Sequence, residues 1–155
     1  MRPTEPFRRE HEELHGHLAH IAEAAREVAR VEREERAAMV ARVLGFLNGT
    51  LVPHARAEEE VLYPEWARLV GFEDAAVPMV HDHEAIAERI ERLEQADLDD
   101  VAALQELLYG LLALIEVHFR KEEDIQLPAF DAAPAELTQG VLERMQAAAG
   151  HAHEH

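Results

Sequence analysis

Residues 101–128 read VAALQELLYGLLALIEVHFRKEEDIQLP and form one continuous amphipathic pattern. Their apolar side chains recur every three or four positions, which is the spacing of one face of an α-helix. That face continues into His118 and Glu122, which are themselves four residues apart. We therefore expect a long helix whose apolar face packs against other helices and whose last turns point polar groups into the same interior.

Three further segments repeat this periodicity, and short connections separate the four segments. Gly and Pro are few, as expected of a mostly helical chain. The sequence therefore predicts an all-α fold, an up-down-up-down four-helix bundle. The three further stripes are Phe7, His11, Leu14, Leu18, Ile21, Ala25 and Val28; Val40, Leu44, Leu47, Leu51, His54, Glu58 and Val61; and Met79, His83, Ile86, Ile90 and Leu93.

Prolines and a capping residue predict where these helices begin, bend and end. The first helix should cover Pro6 to Val31, with Thr4 as its N-terminal cap. Pro53 predicts a kink in the second helix just before His54, because proline removes a backbone hydrogen bond. The fourth helix should stop at Pro128.

The chain divides into a bundle and a short C-terminal part. Residues 1–132 contain the four stripes and form the predicted bundle domain. Residues 133–155 contain a weaker helical segment, from about residue 135 to residue 149, and a His-containing tail. We expect this part to add at most a short fifth helix.

Composition excludes several classes of function. There is no cysteine, which removes disulfides, thiol catalysis and thiolate metal sites. The formal net charge of -17 makes nucleic acid and anionic membranes unfavourable partners. The longest apolar run, residues 107–115, is too short to cross a bilayer, so we expect a soluble cytoplasmic protein.

The two halves of the chain carry the same polar pattern. HARAEEEVLYP at residues 54–64 aligns with HFRKEEDIQLP at residues 118–128, and REHEEL at residues 9–14 aligns with HDHEAI at residues 81–86. Each half is therefore a predicted helical hairpin, and a pseudo-two-fold axis should relate the two.

Six polar residues occupy core positions of these stripes. Residues at the same level of antiparallel neighbours lie symmetrically about the connecting turn, and the midpoints fall near residues 32, 71 and 100. Each midpoint coincides with a polar or Gly-marked interruption, so the six side chains should meet at one level. They are His11, His54, Glu58, His83, His118 and Glu122.

A site with four imidazoles and two carboxylates suits metal ions. A single core histidine is more often bonded to a carbonyl, but six unpartnered polar groups at one level would be very costly. The donor set favours two octahedral first-row ions, with iron as first choice, that share bridging glutamates and a bridging oxygen species. His15 lies four residues after His11 and is a possible seventh ligand.

The order H…HxxxE…H…HxxxE resembles the bacterial hemerythrin-like, or HHE cation-binding, family over residues 5 to 130. The resemblance implies a non-heme di-iron centre bridged by Glu58 and Glu122 that binds O2, NO or peroxide. Oxygen-carrying hemerythrins have a histidine and an aspartate where this chain has Met79 and Glu123, which weakens the case for oxygen carriage.

The sequence leaves the function open among three classes. A protein that binds or senses a small diatomic or peroxide ligand is favoured. A di-iron enzyme for peroxide breakdown, ferroxidase activity or NO reduction is the first alternative, and an iron- or redox-responsive regulatory module is the second. The protein partner is left unknown, and Tyr63 could hydrogen-bond to the centre or shield it, although packing at the end of the bundle explains it well enough.

Overall fold

The computed structural model describes residues 1–153, and this range contains no β-strand. The all-α class and the additional C-terminal helix are confirmed. The side chains of residues 151–155, and with them the predicted His-containing tail, lie outside the described part. The five helices are α1, Glu5–Glu27; α2, residues 33–70; α3, Val77–Glu94; α4, Val101–Ala132; and α5, Ala135–His153.

Two of these helices contain π turns, in which the backbone widens by one residue. In α2 the π turns are Leu47–Leu51 and Glu58–Leu62, and in α4 the π turn is Glu122–Gln126. In each case the residue after the π turn donates its N–H to the carbonyl five residues earlier, and a proline follows directly. Proline cannot make the usual bond to the carbonyl four residues before it, so the wider turn accommodates its ring.

The proline at position 128 therefore does not stop the fourth helix, and that prediction was wrong: α4 passes through its π turn and ends at Ala132. A kink was predicted just before His54 because of Pro53. At this place the structure has the π turn Leu47–Leu51. The first helix also ends earlier than predicted, at Glu27.

Thr4 occupies the predicted N-terminal cap position of α1, but its side chain makes no capping hydrogen bond. Its hydroxyl instead donates to Asp131 Oδ1 at 2.7 Å, and its backbone N–H donates to the same oxygen at 2.9 Å. Arg8 lies 3.2 Å from the other carboxylate oxygen of Asp131. These bonds attach the beginning of α1 to the end of α4.

Two apolar clusters hold the helices together. The larger cluster contains residues of all four helices α1, α2, α3 and α4. It includes Leu104, Leu108, Leu111 and Ile115, none of which has exposed surface. The smaller cluster lies at the other end and adds α5, which buries Val141 and Met145 against residues of α1, α2 and α4. Whether the domain boundary lies at residue 132, as predicted, stays a prediction.

Hydrogen bonds along the helices define two relative directions. His11 meets Glu123 while Gln105 donates to the carbonyl of Ala25, so α1 and α4 run in opposite directions. His54 meets Glu10 and Arg36 donates to the carbonyl of Val28, so α1 and α2 are also antiparallel. The complete up-down-up-down path stays a prediction.

The length and composition of α4 alone would allow it to cross a membrane. One such helix is weak support for a membrane protein, and the leucine face of α4 packs inside the larger cluster.

Candidate metal centre

Four helices bring the six predicted polar side chains into one small region. Five of the six are buried, and the side chain of His83 is 9% exposed. They are His11 on α1, His54 and Glu58 on α2, His83 on α3, and His118 and Glu122 on α4.

Their donor atoms fall into two groups, and within each group all the donor atoms lie within 4.8 Å of one another. Glu58 belongs to both groups, as expected of a carboxylate that bridges two cations. Glu122 also approaches the second group, because its Oε1 lies 2.8 Å from His118 Nε2. The first group is His11, His54, Glu58 and Glu122, and the second group is Glu58, His83 and His118.

Both glutamates are the first residues of π turns. The carbonyl of Glu58 accepts the N–H of Tyr63, and the carbonyl of Glu122 accepts the N–H of Leu127. The prolines that follow force this backbone geometry. The two HxxxExxxxxP segments therefore encode both the spacing of the donors and the local backbone from which each glutamate projects.

Close contacts within the centre link the two groups. His83 Nε2 lies 3.2 Å from Glu58 Oε1 and 3.0 Å from His118 Nε2. His54 Nε2 lies 3.3 Å from the other oxygen of Glu58. Imidazole nitrogens and carboxylate oxygens that converge in this way present several lone pairs to the same small volume.

The opposite nitrogen of each ring points to a carboxylate outside the centre. The Nδ1 atoms of His54 and His118 lie 2.9 Å from their carboxylates, and that of His11 lies 3.0 Å from its own. A carboxylate that accepts the Nδ1 proton leaves the Nε2 lone pair free for a cation and fixes the ring orientation. The four pairs are His54 with Glu10, His118 with Asp82, His11 with Glu123, and, at 3.5 Å, His83 with Glu59.

The outer carboxylates are held in their charged forms. Hydrogen bonds from His11, against the opposing effect of burial, lower the pKa of Glu123 to about 2, and His15 adds to this effect. A hydrogen bond from His54 likewise lowers the pKa of Glu10. Burial alone would raise the pKa of Asp82, but hydrogen bonds from Lys121 and His118 lower it.

The inner pair of Glu58 and His54 is strongly coupled. Burial opposes both charges, but attraction to His54 holds the pKa of Glu58 well below its ordinary value. Burial would lower the pKa of His54, yet the charge of Glu58 and the bond to Glu10 raise it to about 10. The Glu58 carboxylate is therefore a buried anion that needs a positive partner. A metal ion can supply that positive charge in place of protonated His54.

The site passes a test of chemical fit for a cation. Several of its donor atoms are buried and make no well-formed hydrogen bond, although such atoms are rare in folded proteins. All of them are nitrogen or oxygen donors of the kind that first-row metal ions bind. They are His11 Nε2, His54 Nε2, Glu58 Oε2 and both carboxylate oxygens of Glu122.

The structure does not place His15 with the six. Its side chain is 42% exposed, and its Nε2 lies 2.9 Å from Glu123 Oε1, outside both groups. The imidazole therefore contacts an outer carboxylate rather than the centre. That the other six residues are metal ligands stays a prediction, although the structure brings them together.

Sequence reasoning missed Glu10 and Asp82 as functional neighbours, and for Tyr63 it favoured packing over a contact with the centre. The repeat contained a signal for the first two, because Glu10 precedes His11 just as Asp82 precedes His83. Each of these acids bonds the histidine of the following helix, His54 or His118. Glu59 and Glu123, each directly after a central glutamate, also lie beside histidines: Glu123 bonds His11, and Glu59 lies 3.5 Å from His83 Nδ1.

Packing was favoured for Tyr63, but its hydroxyl reaches the second group. It lies 3.1 Å from His118 Nε2, 3.2 Å from His83 Nε2 and 3.5 Å from Glu58 Oε1. Its position five residues after Glu58, on a helix widened by a π turn, is not one that regular α-helical spacing directs to the same face.

A scan against protein families matches residues 2–130 of the chain to the model described as the hemerythrin HHE cation-binding domain. The chain belongs to this family. No curated protein and no solved structure matches it significantly. For the hemerythrin HHE domain described here, the family and the buried His/Glu cluster together indicate a cation-binding site.

Proposed function

We propose that this hemerythrin HHE protein holds two iron ions with a bridging oxygen species and binds or senses O2, NO or peroxide. The observation that carries the proposal is the pair of donor groups that share Glu58. The antiparallel contacts of α1 with α2 and α4 support an up-down-up-down bundle as the frame of this centre.

The donor set supports iron in preference to softer or larger cations. Each group combines two imidazoles with carboxylate oxygens, and the sequence contains no thiolate. Two octahedral ions would not be saturated by six protein side chains, even with two bridging glutamates. Such a centre supplies open coordination positions at which a small molecule can bind.

A cavity beside the second group supports a small ligand. It has a volume of about 200 Å3, and its walls include His83 and His118 together with apolar side chains of α2, α3 and α4. This volume is below the range usual for organic substrates, but it is ample for a diatomic molecule or peroxide. The apolar lining consists mainly of Leu51, Val52, Ile86, Ile90, Ile115 and Phe119.

The test is iron content together with the visible spectrum of protein produced with ample iron. We expect about two iron ions per chain, with absorption from oxygen donors bound to ferric iron. The double variant His118→Ala, Glu122→Ala should lose this iron. The control is His17→Ala with His20→Ala, which removes two exposed histidines of α1 outside both groups.

Zinc in place of iron, or fewer than about one iron ion per chain, would contradict the proposal. Equal iron loss in the control would also contradict it, because the metal would then be bound by surface histidines.

Steady-state assays separate the enzyme alternative from binding. Turnover of peroxide, ferrous iron or NO by the loaded protein would favour the enzyme. Rapid binding without turnover would favour the sensor or binder.

The regulatory alternative draws support from the buried donor atoms that lack hydrogen bonds. Emptying the site would leave these atoms unsatisfied, so the fold itself could respond to metal. Loss of helicity on chelation would support this function, and an unchanged melting curve would argue against it.

The charge of the chain is unfavourable for nucleic acid and anionic membrane partners, and a cytoplasmic location is part of the same proposal. A formal net charge of -17 repels both kinds of anionic surface.

A further inference from the structure

Tyr63 is a buried tyrosine whose hydroxyl points into the centre. The residue is 3% exposed, and the hydroxyl lies 3.1 to 3.5 Å from His118 Nε2, His83 Nε2 and Glu58 Oε1. Among the described residues these are its hydrogen-bond partners, and all three belong to the second group. A buried tyrosine hydroxyl usually finds a hydrogen-bond partner. The partners of this hydroxyl are the metal-donor atoms of the second group.

The two groups differ in their number of protein donors. The first group has four residues, whereas the second has three. The phenol oxygen of Tyr63 supplies the position that would make the second group four. An oxygen atom within hydrogen-bonding distance of two histidine nitrogens and a carboxylate stands where a further ligand to the same cation would stand.

The internal repeat shows that this tyrosine is particular to one half. The offset of 64 residues that relates His54 to His118 and Pro64 to Pro128 relates Tyr63 to Leu127. Leu127 has no oxygen and belongs to the smaller apolar cluster. The sequence therefore provides an extra donor beside the second group and none at the equivalent position of the other half.

We propose that the phenol oxygen of Tyr63 is a ligand of the cation that is bound by Glu58, His83 and His118. The proposal rests on the proposed function, because it assumes a cation in the second group. Tyrosine is an established ligand of protein-bound iron in another setting, the haem of catalases.

The ligation is balanced without any oxidation or reduction. The phenol loses its proton to solvent, and the oxygen electron pair forms the bond to the cation. A tyrosine hydroxyl is ordinarily protonated at neutral pH. A bound cation reverses this preference, because its positive charge stabilises the phenolate.

An anionic oxygen donor also affects which oxidation state is favoured. The phenolate would stabilise ferric over ferrous iron in the second group, since the identity of a ligand sets the reduction potential of its metal. Reversible oxygen carriage requires the ferrous state, so this ligand disfavours oxygen carriage and favours peroxide, which binds ferric iron.

The experiment is visible absorption and resonance Raman spectroscopy of the iron-loaded ferric protein and two variants. Tyr63→Phe removes only the hydroxyl, and Tyr109→Phe is the matched control, because Tyr109 is 44% exposed on α4. We expect a phenolate-to-ferric charge-transfer band, with enhanced tyrosine ring vibrations, in the original protein and in Tyr109→Phe. Tyr63→Phe should lack both and should bind one of its two iron ions more weakly.

A ferric protein with bound iron but no phenolate signature would overturn the assignment and leave the proposed function intact. Persistence of the signature in Tyr63→Phe would also overturn it. If Tyr63 only donates a hydrogen bond, the iron-loaded original protein will lack the phenolate signature, whatever Tyr63→Phe does to iron affinity, and that result refutes ligation. Failure of the original protein to bind iron at all would instead remove the proposed function, and the ligand assignment with it.

Discussion

The first and second donor groups differ in how completely the protein encloses them. His11 of the first group has no exposed surface, and the rings of Phe7 and Phe119 lie on it with centroid distances of 4.6 Å. His83 of the second group is partly exposed and lines the cavity of about 200 Å3. Neither His11 nor Glu122 lines that cavity, although His54 reaches it.

This difference suggests a division of roles within a nearly symmetric centre. The first group has less access, which suits a cation that stays bound. The second group has direct contact with the cavity through His83 and His118, which suits the position where a small ligand arrives. Glu58, shared by both, would couple the two positions.

The largest effect is expected for Glu58→Gln, because this residue belongs to both groups. A neutral amide cannot replace a bridging carboxylate, so we expect loss of both iron ions rather than one. The measurement is iron per chain after gel filtration. The control Glu60→Gln changes an exposed glutamate on the same helix and should bind iron normally.

Retention of one iron ion by Glu58→Gln would contradict the expectation that both groups need Glu58. It would mean that the first group holds its cation without the shared carboxylate, and that Glu58 serves the second group alone.

A smaller effect is expected from the outer carboxylates, and it should differ between the groups. Glu10→Ala releases His54 of the first group, and Asp82→Ala releases His118 of the second. Loss of such a partner typically weakens metal binding by about 10- to 100-fold. Stepwise iron titration should therefore show one weakened site in each variant.

The spectroscopic signature of Tyr63 can assign which site has been weakened. It should change in Asp82→Ala and stay in Glu10→Ala, because the two imidazoles that Tyr63 contacts belong to the second group. Glu13→Ala, an exposed change on α1, is the control. Equal weakening of both sites by either variant would show that the two groups do not respond separately.

Sequence reasoning assembled the six central residues because they follow regular helical spacing. His54 and Glu58, like His118 and Glu122, lie one turn apart, and that turn precedes the π segment. It failed at Pro128, where a π turn lets the helix continue, and at Thr4, whose hydroxyl bonds Asp131 across the fold. Both failures came from interactions that local propensity does not contain.

The neighbours of the centre were harder to predict for the same reason. Glu10 and Asp82 bond histidines of other helices, so their role depends on how helices pack rather than on spacing within one helix. Tyr63 reaches the centre from beyond the π turn, where an α-helical count of faces no longer applies. Only the repeat, read across both halves, offered a sequence signal for the two acids.

The smallest effect is expected on stability, from the hydrogen bonds that attach the beginning of α1 to the end of α4 beside the first group. Asp131 accepts hydrogen bonds from Thr4 and Arg8, and so anchors the turn of α1 that carries Phe7 over His11. Burial alone would raise the pKa of Asp131, but the bonds from Thr4 and Arg8 lower it. Because its folded pKa is lowered, its contribution to stability is present above the unfolded pKa and is lost as the pH falls through the folded value.

Asp131→Ala should therefore destabilise the protein by about 1 kcal/mol near neutral pH, as expected for loss of hydrogen bonds to a charged group. The difference should shrink as the pH falls below about 4, the pKa of an aspartate in the unfolded chain, and through the lower pKa of Asp131 in the folded protein. Denaturant unfolding of both proteins across this pH range measures it, with exposed Asp124→Ala as the control. A difference independent of pH would mean that the carboxylate charge plays no part in holding α1 over the first group.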